Sequence, residues 1–166
     1  SDHGYHLGAH GLWQKSDLFE GSARVPLIIS NPLSEKEDGK VTQSLTELLD
    51  IYPTLVELCG LEKPGHLKGH SLVPVLNNPR EKVRNAAFSV TEARTVRRPD
   101  KSKFLGRSIR TGRYRYTEWD EGKLGVELYD YQADPEEFTN LANDPKHKKV
   151  VDRLKKQLQA RTKAGQ

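Results

Sequence analysis

Ser1-Asp2-His3-Gly4-Tyr5-His6-Leu7-Gly8-Ala9-His10-Gly11-Leu12-Trp13-Gln14-Lys15 opens a chain of 166 residues. The stretch is rich in glycine and histidine and lacks an apolar period of two or of 3.6, so it reads as a loop. Asp2 and His3 set a carboxylate beside an imidazole. Both side chains can reach one cation where the backbone turns sharply, and Gly4 permits such a turn. The carboxylate suits hard cations such as calcium or magnesium, and the imidazole widens the choice to zinc or manganese. The same pair also serves as an ordinary hydrogen-bonded turn, and three residues alone do not separate the two readings.

Downstream, Val25-Pro26-Leu27-Ile28-Ile29 is a short apolar run closed by Asn31-Pro32, the pattern of a strand buried in a covered sheet. Residues 34–40 form a charged surface turn. Leu45, Leu48, Leu49, Tyr52, Val56 and Cys59 recur at helical spacing. Pro53 is comfortable only in a first turn, so the main helix is expected over Asp50 to Cys59, with Gly60 as its stop and a looser turn before it. Cys59 lies on the apolar stripe and reads as core packing. Residues 61–85 are mainly loop, with a helical turn near Leu72 to Leu76.

The second half changes character. Ala87 to Thr91, Arg107 to Thr111, Tyr114 to Trp119 and Val126 to Tyr131 are short runs of β-branched and aromatic residues, with Gly112-Arg113 as a tight turn. They predict an antiparallel meander. Asp144-Pro145 then supplies a helix cap and a first-turn proline. Val150, Val151, Leu154 and Leu158 follow on one face of an amphipathic helix that should lie on the sheet.

Composition narrows the classes. A single cysteine excludes an internal disulfide framework and a cysteine-rich zinc module. The longest apolar run is far too short to cross a bilayer, so no membrane partner is expected. The chain has no methionine, and the expectation is a C-terminal piece of something longer. The net charge of +4 is uneven: residues 146–163 hold eight Lys/Arg against one Asp, and residues 93–115 hold nine against one. Such runs are either solvated faces or a surface for a polyanion, nucleic acid or sulfated sugar. No nucleic-acid motif appears, so a nucleic-acid partner is not expected.

The opening run is followed by Phe19-Glu20 and Arg24-Val25-Pro26-Leu27-Ile28. Together they resemble the C-terminal half of the formylglycine-dependent sulfatases of the alkaline phosphatase superfamily, in the pattern S-D-H-G-x-x-L-G-x-H-G-x-W-x-K, then R-V-P-L-I. Asp50-Ile51-Tyr52-Pro53-Thr54-Leu55, Gly69-His70-Ser71-Leu72, Ser108-Ile109-Arg110-Thr111, Glu127-Leu128-Tyr129-Asp130 and Asp134-Pro135-Glu136-Glu137 with Asn140-Leu141-Ala142 continue the resemblance in order. Within the family the S-I-R-T and E-L-Y stretches look most like iduronate-2-sulfatases. Ala9 departs from the pattern where the family often has an acidic residue.

The resemblance implies an α/β chain. Residues 1–85 would be the C-terminal segment of an alkaline-phosphatase-like catalytic domain, and residues 86–166 a small antiparallel sheet packed by a C-terminal helix. It implies Asp2 and His3 as ligands of a divalent cation, calcium first and zinc or manganese as alternatives. Lys15 would hold a sulfate oxygen, and His10 would orient the loop or make a structural hydrogen bond. The formylglycine nucleophile would lie on the missing N-terminal part, since Glu57-Leu58-Cys59-Gly60-Leu61 lacks the C/S-x-P-x-R pattern. That N-terminal part would be the chain's partner, and a sulfated small molecule or glycan its substrate. Export, to a periplasm or a lysosome, would follow from the family. The other readings are a phosphodiesterase or phosphonate hydrolase of the same superfamily, and a non-catalytic polyanion-binding fragment.

Overall fold

A computed structural model of the chain describes residues 1–31, 39–93 and 103–164. The chain forms two compact units, Ser1–Pro26 with Phe88–Gln166, and Leu27–Ala87. Residues 1–26 thus pack with the C-terminal sheet, whereas the sequence grouped them with the stretch up to residue 85. The ion pairs of Glu20, described below, are the physical reason. Most of the charged turn expected at 34–40 lies outside the described residues.

All but the first two residues of a four-stranded antiparallel sheet belong to the first unit: β1 (Ala86–Glu92), β2 (Leu105–Thr111), β3 (Tyr114–Trp119) and β4 (Val126–Asp130), in the order β1-β2-β3-β4. The turn at Gly112-Arg113 is closed by the Thr111 hydroxyl, which donates to the Tyr114 carbonyl at 3.0 Å and accepts from its amide at 3.1 Å. Register aligns Ile109 with Tyr116 and Tyr116 with Leu128, so these three share one face. All three are fully buried. Helix α4 (Lys148–Ala164) lies against β2 and β3 and adds the buried Leu154 and Leu158. Its start follows the sequence reading: the Asp144 side chain accepts from the Lys146 amide at 2.9 Å, and Pro145 begins the preceding 3-10 turn.

The opposite sheet face is polar and still buried. It carries Ser108, Thr117, Arg115 and Tyr129, each under 10% exposed. Arg110 aligns with Arg115, and Arg115 with Tyr129. Buried charge of this kind persists only when paired and hydrogen-bonded. The partners come from residues 17–24 and from Glu137, so this face receives the loop segment that opens the chain.

The second unit contains α2 (Ile51–Leu58) and α3 (Val73–Asn77). A 3-10 turn at Leu48–Asp50 precedes α2, Pro53 sits in its first turn, and Gly60 follows in the left-handed region at φ 65°. The fully buried Asp50 carboxylate organises the unit. It accepts from the Glu47 and His70 amides at 2.8 Å each and from the Arg84 guanidinium. Arg84 also meets Glu47 at 2.9 Å.

Val25 to Ile29 joins no ladder among the described residues; its neighbours in a covered sheet would have to come from the N-terminal part. Ile28 is 89% exposed. Cys59 is exposed rather than core, because the buried side of α2 carries Pro53, Thr54 and Val56. Of the helical stripe, Leu48, Leu49 and Tyr52 are exposed while Val56 is buried.

Candidate functional site

The opening loop folds back on itself. The His6 amide donates to the Gln14 carbonyl at 3.0 Å and the Gly8 amide to the Leu12 carbonyl at 2.8 Å, around a 3-10 turn at Ala9–Gly11. This pairing returns Lys15 to the start of the chain, where its Nζ lies 2.7 Å from His3 Nε2. His3 Nδ1 lies 2.8 Å from the Gly4 carbonyl oxygen. Elementary donor chemistry fixes the imidazole. A carbonyl only accepts, so Nδ1 carries the proton and donates; an ammonium only donates, so Nε2 presents its lone pair. Asp2 Oδ2 is 3.6 Å from that same Nε2. Hydrogen bonding to its own backbone amide, then the neighbouring His3 and Lys15, holds the Asp2 carboxyl below the usual carboxylate range. Two electron-rich atoms therefore converge with one cationic group, and the Asp2 side chain is 85% exposed.

The floor of this loop is tightly built. The Gly4 amide donates to the Ser22 carbonyl at 3.0 Å, and a Cβ at Gly4 would stand 1.9 Å from the Gly21 carbonyl oxygen. Gly4 is thus required for close approach to α1 (Glu20–Ala23), rather than for the positive-φ turn suggested by its sequence position. His6 is buried. Its Nε2 lies 3.2 Å from Asp17 Oδ1, and Asp17 also accepts from Ser22 Oγ at 2.6 Å and the Phe19 amide at 3.0 Å. Tyr5 donates its hydroxyl to the Trp13 carbonyl at 2.9 Å. Trp13 is 69% exposed.

The structure brings together Asp2, His3 and Lys15. His10 belongs to an aromatic cluster instead: its ring stacks on Phe19 at 4.0 Å and lies 5.8 Å from His6 and 5.3 Å from Phe138. It sits at φ 57°, so the loop turns at His10 itself.

Sequence reasoning missed the anchor. The Glu20 carboxylate accepts from Arg110 Nε at 3.0 Å and from the Arg115 guanidinium. The Glu20 amide donates to Glu137 Oε2 at 2.7 Å, and Arg115 Nε lies 3.1 Å from Glu137 Oε1 and 2.7 Å from the Tyr131 hydroxyl. Burial alone would push the Glu20 carboxyl up, but Arg115 and Arg110 together outweigh it and hold it below the ordinary range. Burial pushes the Tyr131 phenol well above its usual range, so it stays protonated. Two signals pointed to this anchor. Glu20 is the only acidic residue between Asp17 and Glu35, and Arg110 and Arg115 alternate with the core residues Ile109 and Tyr116.

A divalent cation fits what is present in one respect: with Nδ1 bonded to a backbone carbonyl, His3 presents the lone pair of Nε2, as in many metal-bound histidines, and Lys15 takes that lone pair here. Two side chains do not complete a coordination shell, and among the described residues no group of three or more His, Cys, Asp or Glu converges.

Similarity to known proteins makes this a sulfatase-type, alkaline-phosphatase-like chain. Residues 8–164 match the family model for the N-sulphoglucosamine sulphohydrolase C-terminal domain, and the chain belongs to that family. A Delta 4,5-hexuronate-2-O-sulfatase of Bacteroides thetaiotaomicron is 34% identical over 157 residues, covering 91% of this chain and 31% of that protein. The solved structure of BT1596, a 2-O GAG sulfatase, superposes with a TM-score of 0.84 at 31% identity, over 98% of this chain and 35% of that one. The phosphonate monoester hydrolase of Agrobacterium radiobacter superposes with a TM-score of 0.80 at 30% identity, over 96% of this chain and 33% of that one. The chain spans about a third of the length of the relatives it matches. Among the described residues no helix is long and apolar enough to cross a membrane.

Proposed function

We propose that this chain is the C-terminal part of a sulfatase that hydrolyses sulfate esters of sugars, with a 2-O-sulfated uronate, as in the iduronate-2-sulfatases, as the first substrate class. The observation that carries the reading is the convergence of Asp2 Oδ2, His3 Nε2 and Lys15 Nζ on one exposed point. Asp2 and His3 would hold the divalent cation, calcium first and zinc or manganese as alternatives. Bound there, the cation supplies Lewis-acid stabilisation of charge on sulfate oxygens. The chain's own residues do the rest of the local work. The Gly4 carbonyl holds His3 in one tautomer, and the hairpin holds Lys15 where its ammonium can donate to a sulfate oxygen. His10 supports the loop through its stack on Phe19. The formylglycine nucleophile and further cation ligands belong to the N-terminal part, which is also the partner that would cover the exposed Ile28, Tyr52 and Leu55. Residues 1–26 then serve the catalytic centre while being anchored on the C-terminal sheet. Export follows the same reading.

The test uses the longer protein that contains this chain. Release of inorganic sulfate from a 2-O-sulfated uronate disaccharide, abolished by chelation and restored by calcium, supports the reading. The structural likeness to a phosphonate monoester hydrolase gives the second reading. Hydrolysis of a phosphonate monoester at least tenfold faster than of the sulfate ester would replace the first reading with the second.

A further inference from the structure

The two basic runs of the sequence have different fates in the fold. In the sheet run every described cation is used internally. Lys103 meets Glu92 at 3.1 Å, Arg107 meets Glu121 at 3.7 Å, Arg110 meets Glu20 at 3.0 Å and Arg113 meets Asp130 at 2.6 Å, while the buried Arg115 joins Glu20 and Glu137. That run offers no net cationic surface over those residues.

Helix α4 is the opposite. Lys149, Arg153, Lys156 and Lys163 are all exposed and enter no ion pair among the described residues. At 100° per residue they fall within an arc of about 80°, centred opposite the buried Leu154 and Leu158, and span about 21 Å along the axis. The acid nearest this arc, Asp152, is already paired with Lys148 at 3.1 Å. Arg161 turns away from it, lying 5.7 Å from the Phe88 ring.

We propose that this stripe is a docking surface for a linear sulfated polysaccharide, separate from the Asp2–His3–Lys15 point. The proposal rests on the sulfatase reading for its choice of polymer. Cations recurring at intervals of three to seven residues on one helix face match a polymer with repeating anionic groups. Residues 145–163 contain no Phe, Tyr or Trp on which nucleobases could stack. The apolar face of α4 is committed to the sheet, which leaves nothing to insert into a lipid surface. The stripe acts by raising the local concentration of the polymer, so it affects capture and leaves the chemical step unchanged.

The experiment compares the full-length enzyme with the variant K149Q/R153Q/K156Q/K163Q. Heparin binding is measured as a function of salt with the metal chelated, and kinetics on a heparin octasaccharide and on a small aryl sulfate. The wild type should bind heparin in a salt-dependent way. The variant should lose roughly tenfold in heparin affinity and in octasaccharide kcat/KM, the scale of electrostatic capture, while its aryl sulfate kinetics stay within about twofold. The charge-preserving K149R/K156R/K163R should match wild type, which separates loss of charge from loss of fold. Equal heparin affinity in wild type and glutamine variant overturns the proposal. So does single-stranded DNA, or vesicles of anionic phospholipid, binding as tightly as heparin at the same salt. If neither substrate is turned over, the sulfatase reading falls, and the chelated binding comparison still decides the stripe.

Discussion

The half-buried carboxylate of Glu20 is bonded to the guanidinium of the buried Arg115, and Arg110 bonds the same oxygen at 3.0 Å. One acid thereby fastens the segment that carries Asp2, His3 and Lys15 to the polar face of the sheet. Removing it leaves Arg115 with Glu137 as its remaining carboxylate partner, in a site where unpaired charge is costly. Glu20→Gln is expected to destabilise the protein by about 3 kcal/mol, the lower end of the range for a broken buried pair, since Glu20 keeps 17% of its side chain exposed. Chemical denaturation checks the loss. Hydrogen exchange should rise in residues 1–24 before it rises in β3, and unchanged exchange there would refute the anchoring role.

The same carboxylate gives a pH dependence of known sign. Its folded pKa lies below its unfolded value, so its contribution is fully present above the ordinary carboxylate range. It is lost as the pH falls through the depressed folded pKa. Asp130 acts in the same direction: the Arg113 hydrogen bonds, at 2.8 and 2.6 Å, hold it down. Thermal melts should therefore be flat near neutrality and drop steeply in the acid range. In Glu20→Gln the acid drop should be shallower, and a drop as steep as wild type would show that Glu20 is not the group titrating.

How much of this was legible follows from which interactions are local. The Asp144 cap, the Pro145 turn, the Gly60 stop and the Gly112-Arg113 hairpin rest on neighbouring residues, and all appear where the sequence places them. The grouping of Asp2, His3 and Lys15 was legible through the motif. The tie from Glu20 to Arg110 and Arg115 spans ninety or more positions and obeys no local period, so the isolated acid at Glu20 hints at a partner without saying which one. Ile28 and Cys59 stand exposed for a related reason. Apolar character states that burial is favourable, while the neighbour that would bury the residue has to come from elsewhere in the fold.

Gly4 and Gly11 separate two uses of glycine within one loop. A Cβ at Gly4 would meet the Gly21 carbonyl oxygen at 1.9 Å, so Gly4→Ala must push α1 away from the site. Nothing lies within 4 Å of a Cβ at Gly11, and only its φ of 70° opposes substitution. Gly4→Ala is expected to cost more than about 2 kcal/mol and to loosen His3, as overpacking against fixed backbone does. Gly11→Ala should cost roughly 1 kcal/mol, the penalty of a left-handed residue bearing a Cβ. Denaturation of both variants gives the comparison, and equal costs would contradict the steric account.

Lys15 and His3 touch each other yet should fail in different ways when removed. On the proposed function His3 holds the cation and Lys15 holds the sulfate. In the full-length enzyme His3→Ala should weaken metal affinity by about 100-fold or more, since even residues that only orient a ligand are worth 10–100-fold. Lys15→Ala should keep its metal and lose about 10²–10³ in kcat, the scale for one donor to developing charge on oxygen. Metal content by mass spectrometry, read beside kcat, separates the two. A Lys15→Ala enzyme that loses its metal, or a His3→Ala enzyme that keeps it, would reverse the assignment of roles.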